Sequence, residues 1–348
     1  MQFDVYGPLD SGWESAIKAI GRENADVYFL PEWYLTWEDY EHSAAKCIVA
    51  SEEGYLFVYP FLLRPIENYE SPVQYFDIQS AYGYGGVITN QQNIPQNIVK
   101  IFNDKVTEWL IENNVIAEFI REHPLLNQCR RDATYFPVRT NVFVESLDNY
   151  KILDAKTRQK ISKIKRDEEL NIVIDDQLNS INAFVDLYNQ NAARIGMSKY
   201  YFFPDEYYKH VQTHLKDYGQ VMNIVYNGII INSLLYFFYG NKATLHLAGS
   251  NFMYNNLKGS DYIYYASIIH AAANGIDIIN LGGGTSTNKD DSLFRFKKKF
   301  SNNYKEVYAG KKTIDAKAYN SIIEQWENRY PHLKEKYKNF FLKYRQTE

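Results

Sequence analysis

The stretch from Gly275 to Ser301 reads GIDIINLGGGTSTNKDDSLFRFKKKFS. It joins an apolar segment of β type to three consecutive glycines, two aspartates and a run of lysines threaded with phenylalanines. Glycine permits positive φ and a close backbone approach, so Gly282, Gly283 and Gly284 predict a shaped loop at the end of a strand. The pattern of a P-loop (G-x-x-x-x-G-K-[ST]) and that of a dinucleotide fold (G-x-G-x-x-G) are both absent, which argues against nucleotide hydrolysis and NAD use.

The basic residues that follow the glycines alternate with aromatic ones. Arg295 and the lysines 297–299 lie between Phe294, Phe296 and Phe300. Lysines beside aromatic rings can hold a phosphate and stack a base. Phenylalanines four residues apart are also typical of an amphipathic segment whose rings face the core. The two interpretations are compatible, with rings that anchor the segment and lysines that face a ligand.

Composition bounds the classes of protein that fit. The chain has 348 residues, of which 45% are hydrophobic, and this favours two domains. The formal net charge of -4 argues against binding nucleic acid over the whole surface, so we expect any anion site to be local. Cys47 and Cys129 support neither a disulfide framework nor a zinc site. We expect no signal peptide, no membrane span and a cytoplasmic location.

Two segments resemble each other and predict an internal repeat. Residues 46–66 and 221–249 are both rich in Val, Ile, Tyr and Phe, with turns centred on Gly or Asn, which is typical of hairpins. Each is followed by a Gly-containing loop, a helical stretch and a strand. We therefore expect an α/β protein with a tandem repeat.

The expected domains are residues 1–150, residues 151–312 and a tail of residues 313–348. The junction between the two repeats is placed near Leu147–Ala155. In the tail, apolar positions recur every three or four residues on either side of Pro331, which predicts an amphipathic helical segment broken at the proline. We expect this tail to pack back on the first domain; the alternative is a helix that binds a partner.

A second basic cluster, KTRQKISKIKR, spans Lys156–Arg166 and contains six basic residues and no acidic one. On a helix, Lys156, Lys160 and Lys163 lie near one face. The cluster is either a solvated helix face, balanced by the acidic residues that follow it, or a clamp on a phosphate-bearing ligand. His210 and His214 are four residues apart, but the surrounding sequence has no zinc-protease pattern, and no metal site is expected.

These features together resemble the FemABX family of aminoacyltransferases and its relatives in the GNAT acyltransferase superfamily. The resemblance runs through FDIQSAYGYGGVI, KTRQKISKIKR, LYNQNAARIGMSKYYFFPDEYYKHV and LHLAGSN, and is strongest in ANGIDIINLGGGTSTNKDDSLFRFKKKFS. It implies two tandem GNAT-like domains with mixed central sheets flanked by helices, and a C-terminal helical tail. It also implies transfer of an aminoacyl or acyl group to an amine of a bacterial cell-envelope precursor, either a peptidoglycan peptide or an amino sugar.

The resemblance also implies roles for individual residues. Phe296 and Lys297 would lie near the acceptor end of the acyl donor, and Asp291 would orient the loop that carries them. Phosphate contacts to a nucleotide- or lipid-linked acceptor would come from Arg158, Lys160, Lys163 and Arg194. The expected substrate-binding set also includes Gly282, Gly283, Gly284 and Arg295. No tightly bound cofactor is expected, since the donor, aminoacyl-tRNA or acyl-CoA, is a substrate.

Two departures from the family bear on the donor. The chain has no insertion as long as the coiled-coil arm of the larger aminoacyl-tRNA users. Ordinary GNAT enzymes bind the CoA pyrophosphate with an R/Q-x-x-G-x-G/A loop at a helix N-terminus. The equivalent loop here, YNNLKGSDY, has only Gly259 and does not match that pattern.

The chemistry of acyl transfer gives Lys297 an expected role. An amine attacks the ester or thioester carbonyl, and a positioned lysine or backbone N–H groups stabilise the oxyanion that forms. No general base stands out; Asp291 and Tyr262 are candidates, and the substrate itself could carry the proton. An acyl-CoA-dependent N-acetyltransferase is one alternative. A non-catalytic RNA- or anion-binding module of GNAT type is another, and peripheral contact with a membrane stays open.

Overall fold

The computed structural model describes the whole chain except residues 127–128, 146–152, 285–287 and 289 and the side chain of Tyr200. The chain forms two compact units. The first unit contains Met1–Pro137 and Val307–Glu348, and the second contains Val138–Glu306. Residues 147–152, where the sequence placed most of the junction between repeats, lie outside the described residues.

The described part of the chain contains strands and helices in alternation. The strands are β1 (Gln2–Tyr6), β2 (Ala44–Glu52), β3 (Tyr55–Pro65), β4 (Phe76–Gln79), β5 (Ile88–Thr89), β6 (Val115–Arg121), β7 (Thr134–Val144), β8 (Leu170–Asp175), β9 (Gly219–Tyr226), β10 (Ile229–Tyr239), β11 (Lys242–Ser250), β12 (Ile278–Gly283) and β13 (Asn303–Thr313). The α-helices are α1 (Ser11–Ile20), α2 (Pro31–Glu38), α3 (Gln96–Glu112), α4 (Ala155–Ile164), α5 (Ile181–Arg194), α6 (Asp205–His214), α7 (Gly259–Ala273), α8 (Ser292–Lys297) and α9 (Ala316–Arg329). No helix among the described residues is long and apolar enough to cross a membrane.

The sheet of the first unit has the strand order β1-β2-β3-β4-β6-β13, and β5 pairs with β3. Only β4 and β6 run parallel, and the helix α3 connects them. The buried residues of α3 (Ile98, Phe102, Val106 and Leu110) recur every four positions, so one face of the helix packs on the sheet.

The sheet of the second unit has the order β8-β9-β10-β11-β12-β7. Again one pair, β11 and β12, runs parallel, and the helix α7 connects the two strands. Asn227 and Gly228 both have positive φ and form the tight turn between β9 and β10, which is the turn chemistry that the sequence predicted. The core of this unit packs α4, α7 and α8 against the sheet.

The two units repeat one another strand by strand, as the sequence predicted. The hairpin β2–β3, the strand β4, the helix α3 and the strand β6 correspond to β9–β10, β11, α7 and β12. The sequence missed β4, which has only four residues and adjoins a glycine-rich loop. The last strand of each sheet does not follow the order of the chain. β13 completes the first sheet by pairing with β6, and β7 completes the second sheet by pairing with β12. The division into units therefore follows strand pairing rather than the order of the chain.

The tail belongs to the first unit. The helix α9 buries Ala318, Ile322 and Trp326 against Ile116 and Ala117 of β6. The segment after Pro331 was expected to be helical, but it forms turns and two short 3₁₀ segments. Side chains bond its backbone carbonyls in place of helical hydrogen bonds. For example, Trp326 Nε1 donates to the carbonyl of Gln346 at 2.7 Å.

A buried charge cluster also joins the tail to the sheet. Asp77 on β4 is fully buried and accepts from Arg64 at 2.8 Å and from Tyr344 and Arg345 at 2.9 Å each. Burial alone would raise the pKa of Asp77, but Arg64 and Arg345 outweigh it and hold the pKa below its ordinary value. The carboxylate therefore stays charged and keeps both arginines in place.

The tail should contribute much of the stability of the first unit through Trp326. We expect Trp326→Ala to lower the free energy of unfolding by about 3–5 kcal/mol, because it leaves a cavity and an unpaired Gln346 carbonyl. Phe340→Ala is the matched control in the same tail, since Phe340 is 54% exposed. Urea unfolding of both variants measures the difference, and equal losses would contradict the anchoring role of Trp326.

Candidate functional site

The three glycines at the end of β12 make room for groups that pack against them. Gly282 has φ +76°, and a side chain there would come within 2.9 Å of Lys297 Nζ. A side chain on Gly283 would meet the Thr140 carbonyl of β7, and one on Gly284 would meet the carboxylate of Asp291. The glycines therefore let a lysine, a strand and a helix cap approach the backbone.

Asp291 begins the helix α8. Its Oδ1 accepts hydrogen bonds from the N–H groups of Leu293 and Phe294, both at 2.9 Å. This is the geometry of an N-cap, and it fixes the direction in which the six-residue helix leaves the loop. Asp291 thus positions Phe296 and Lys297, which lie on α8.

Lys297 is buried, with 8% of its surface exposed, and its Nζ donates to the carbonyl of Gly283 at 2.8 Å. Burial, and to a smaller extent the nearby Arg139, lower its pKa from the ordinary 10.5 to about 7, while Asp291 opposes the change. The amine therefore changes protonation near neutral pH. A buried group of this kind at a glycine-rich strand end is typical of a functional site.

The aromatic residues around Lys297 hold α8 in the core of the second unit. Phe294 and Phe300 are buried, and Phe296 is partly buried. The ring of Phe296 meets Tyr264 of α7 edge to face, with centroids 5.0 Å apart, and Lys299 Nζ lies 4.7 Å from the centroid of the same ring. The rings therefore act as anchors, while Arg295 on the same helix is exposed.

The second basic cluster forms α4, which begins at the N-cap Asp154. Four of its basic residues, with Gln159 and Ser162, line a surface depression of about 620 Å³. They are Lys156, Lys160, Lys163 and Arg166. Lys160 Nζ lies 3.6 Å from Asp261 Oδ2 of α7, whereas Lys163 is exposed to solvent.

The other expected phosphate ligands have partners of their own. Arg158 donates to the Leu153 carbonyl at 2.6 Å, at the N-terminus of α4. Arg194, at the end of α5, donates to Asn191 at 3.1 Å and lies 4.5 Å from the ring centroid of Phe252. The structure thus gathers Gly282, Gly283, Gly284, Asp291, Phe296 and Lys297 around one strand end. Arg158, Lys160 and Lys163 lie on α4, and Arg194 lies on α5.

The N-terminus of α7 is filled by side chains. A side chain on Gly259 would lie 1.8 Å from Asn232 Oδ1, so the amide of Asn232 sits directly on the first residue of the helix. Asn232 Nδ2 donates to Ser260 Oγ at 3.2 Å. Asp261, in the first turn, is buried and accepts from Lys299 at 2.8 Å. A carboxylate and an amide thus occupy the N-terminus of α7, within the segment YNNLKGSDY.

The parallel strands β11 and β12 pair only at their beginnings. Their register runs from Lys242 opposite Ile278 to Thr244 opposite Asn280, and no further pair joins them within the described residues. The strand β11 continues to Ser250 and β12 to Gly283. A gap therefore opens between the two strands, and it leads from Asn280 towards the glycines and Lys297.

Sequence reasoning missed several polar residues of this region. Asn280 lies inside IDIIN and was taken as part of an apolar strand. Its Oδ1 accepts from Asn141 Nδ2 at 3.1 Å and from the N–H of Gly282 at 2.9 Å. His246 is the extra residue of a β-bulge on β11, and its Nε2 is 2.8 Å from the hydroxyl of Tyr207. Polar residues in otherwise apolar strands were the available signal.

Burial determines the protonation state of the His246 side chain. Burial lowers the pKa of His246 to about 3, so this imidazole is neutral at physiological pH. The rings of His210 and His214 stack on α6, with centroids 5.7 Å apart. The described residues contain no group of three or more His, Cys, Asp or Glu side chains placed to hold a metal ion.

Comparison with known proteins shows which domain carries this site. Residues 154–298 match the family described as an acetyltransferase (GNAT) domain. The matched range lies within the second unit and contains both α4 and Lys297. The second unit is therefore similar to acetyltransferase domains of GNAT type over most of its length. No curated protein matches the sequence significantly.

Solved structures share the fold over most of the chain. FemX superimposes with a TM-score of 0.68 at 12% identity, covering 92% of this chain and 99% of FemX. L-PGS from Bacillus licheniformis gives a TM-score of 0.53 at 12% identity, with 87% and 92% covered. A tandem GNAT protein from the clavulanic acid biosynthesis pathway gives 0.50 at 8% identity, with 90% and 98% covered. The expected fold class is confirmed, and the resemblance to FemABX proteins is confirmed at the level of the fold.

Lys297 should destabilise the second unit in a pH-dependent way. Because its folded pKa is depressed, the unfolded chain binds more protons between about pH 7 and pH 10.5. The cost of burying the charge is therefore fully present below pH 7 and is relieved as the pH rises towards 10.5.

Lys297→Met should accordingly raise the free energy of unfolding by about 1–3 kcal/mol at pH 7, and the gain should shrink as the pH approaches 10. Exposed Lys305→Met is the control and should change little at any pH. Denaturant unfolding at pH 6, 7, 8.5 and 10 measures both variants. A gain that is the same at every pH would refute the buried charge.

Proposed function

We propose that this protein is an acyltransferase that moves an aminoacyl or acyl group from an activated ester or thioester to an amine of a nucleotide- or lipid-linked cell-envelope precursor. The buried amine of Lys297, held at the glycine-rich end of β12 in a GNAT domain, is the observation that carries this proposal. The fold shared with FemX, together with the resemblance of the sequence to FemABX aminoacyltransferases, supports aminoacyl transfer in particular.

The proposed reaction forms one bond and breaks one. The acceptor nitrogen attacks the donor carbonyl carbon, a C–N bond forms, and the ester C–O or thioester C–S bond breaks. The acceptor amine loses a proton, and the leaving oxygen or sulfur gains one. In its protonated form Lys297 donates a hydrogen bond to the oxyanion of the intermediate, which is a role that preorganised donors fill in acyl transfer. A pKa of about 7 leaves the amine protonated in a large fraction of molecules at neutral pH.

The filled N-terminus of α7 favours an aminoacyl ester over a CoA thioester as the donor. Asp261, buried in the first turn, is bonded to Lys299 at 2.8 Å and lies 3.6 Å from Lys160, so both lysines already have a carboxylate partner. The amide of Asn232 covers Gly259 at the same helix end. The match of the domain to acetyltransferases supports acyl-CoA as the competing donor.

The basic face of α4 supports an anionic substrate. Lys156, Lys163 and Arg166 are exposed and line one depression, so their charges are directed to solvent or to a ligand. A purely RNA-binding module would use such a surface but would have no need of a desolvated amine at Lys297, which costs stability. The buried lysine therefore favours catalysis over binding alone.

Removal of the Lys297 charge should slow transfer. We expect Lys297→Met to lower kcat at least 100-fold with a smaller effect on KM, because the interaction is made mainly in the transition state. The wild-type rate should carry a descending limb near pH 7, where the amine loses its proton, and the residual activity of the variant should lack this limb. Single-turnover assays with aminoacyl-tRNA and with acyl-CoA measure both. Full activity in the variant would eliminate this role, and the absence of transfer from either donor would refute the proposed function.

The basic face of α4 should act on donor or acceptor binding. We expect the triple change Lys156→Gln, Lys163→Gln and Arg166→Gln to raise KM about tenfold or more, to leave kcat nearly unchanged and to flatten the salt dependence of binding. The matched control removes three exposed charges in the first unit, with Lys18→Gln, Lys100→Gln and Lys105→Gln. Equal effects of the two triple variants would show that only net charge matters.

A further inference from the structure

The last paired residues of β11 and β12, at the closed end of the gap, carry two polar atoms that have no hydrogen-bond partner in the described part of the chain. Thr244 and Asn280 lie opposite each other in the last parallel pair, so their side chains share one face of the sheet at a strand spacing of about 4.8 Å. Both residues are 3% exposed. Within the described part of the chain, Thr244 Oγ1 and Asn280 Nδ2 are buried and form no hydrogen bond.

These two residues face away from the main core of the second unit. Their strand neighbours Ala243, Leu245, Ile279 and Leu281 belong to that core, and the alternation of a strand directs Thr244 and Asn280 to the opposite face. Phe237, which pairs with Thr244, also contacts the ring of His246, with centroids 5.2 Å apart. The neutral imidazole of His246 thus extends the polar row along β11.

The polar pair adjoins the reaction centre through Gly282. Asn280 Oδ1 accepts from the Gly282 N–H at 2.9 Å, and Lys297 Nζ lies 2.9 Å from the position that a Gly282 side chain would take. One glycine therefore lies between Asn280, whose Nδ2 has no partner, and the amine of Lys297 that would meet the donor carbonyl. A group attached to the carbon next to that carbonyl would point along the gap towards Asn280.

Unpaired polar atoms in a buried position are costly, and native structures rarely keep them without a partner. The first unit offers a comparison at its equivalent parallel pair, β4 and β6. There Gly85 continues the pairing, donating to the carbonyl of Arg121 at 2.6 Å and accepting from the N–H of His123 at 3.0 Å. Within the described residues, no such pairing continues β11 and β12 beyond Thr244 and Asn280.

We propose that Thr244 and Asn280 form a polar subsite that binds a hydroxyl or an uncharged amino substituent on the acyl group, beside the carbonyl that reacts near Lys297. The hydroxyl of Thr244 can donate or accept, and the amide of Asn280 donates. The subsite therefore selects acyl groups that carry a polar atom and rejects plain alkyl acyl groups, which would leave both atoms unpaired. This inference rests on the proposed acyltransferase function.

Two probes of nearly equal size test the subsite. Lactoyl and propionyl groups differ by one hydroxyl, and each is prepared both as a CoA thioester and as an amide of 3′-amino-3′-deoxyadenosine, which mimics the end of an aminoacyl-tRNA. Calorimetry and thermal shift with the full chain measure binding. On whichever carrier binds, we expect the lactoyl probe to bind at least tenfold more tightly than the propionyl probe.

Two variants remove only the unpartnered atoms. Thr244→Val keeps the shape of the side chain, and Asn280→Asp keeps the oxygen that accepts from Gly282 and Asn141 while it removes the donor. We expect either change to reduce the lactoyl preference to threefold or less. Ser233→Ala is the matched control, because the buried Ser233 hydroxyl already donates to Asn223 at 2.6 Å. It should lower the melting temperature without changing the preference, whereas Thr244→Val should leave the melting temperature unchanged or raise it.

The outcomes separate the subsite from the proposed function. Binding or transfer without a lactoyl preference, or with a preference that survives in both variants, overturns the subsite and leaves the acyltransferase proposal standing. A drop in melting temperature for Thr244→Val as large as that for Ser233→Ala also overturns it, because the hydroxyl would then have a partner. The absence of binding and transfer on both carriers overturns the proposed function, and the subsite falls with it.

Discussion

The hydrogen bond from the Gly282 N–H to Asn280 Oδ1 is the interaction on which the candidate site depends. It bridges a bulge in β12, where the pairing with β7 skips Leu281. A bulge bends the strand and redirects the residues that follow it. The redirected carbonyl of Gly283 then accepts from Lys297, and Gly284 leaves room for the cap Asp291. One side-chain oxygen thus aligns the strand end, the helix cap and the buried amine.

Lys297 differs from two buried arginines of the first unit. In the first unit Arg131 is fully buried but bonds to Glu118 at 2.8 Å, and Arg64 bonds to Asp77 at the same distance. Within the described residues Lys297 donates to a backbone carbonyl, which compensates a positive charge far less than a carboxylate does. A fold that neutralises Arg131 and Arg64 with carboxylates and leaves Lys297 weakly compensated loses stability at this position, and function is the usual reason for such a loss.

The sequence predicts the fold better than it predicts the site. Hairpin turns such as Asn227–Gly228 determine local pairing, so the α/β class and the repeat follow from short-range signals. The exchange of β7 and β13 could not be predicted, because it depends on pairing between segments far apart in the chain. The strand β4 is too short to give a period.

At the site, the resemblance selected Lys297, but its burial could not be predicted, since three consecutive lysines normally indicate an exposed segment. The structure shows why one of the three differs. Phe294 and Phe300 direct one face of α8 into the core, and Lys297 lies on that inward face while Lys298 is exposed.

Thr244 and Asn280 gave a weaker signal still, because a single polar residue in an apolar strand is usually a bonded core residue. Their importance depends on the register of β11 against β12, which places them at the last pair before the strands separate. The two units differ at this point: in the first unit Gly85 continues the parallel pairing with backbone hydrogen bonds to Arg121 and His123, whereas β11 and β12 have no further pair within the described residues.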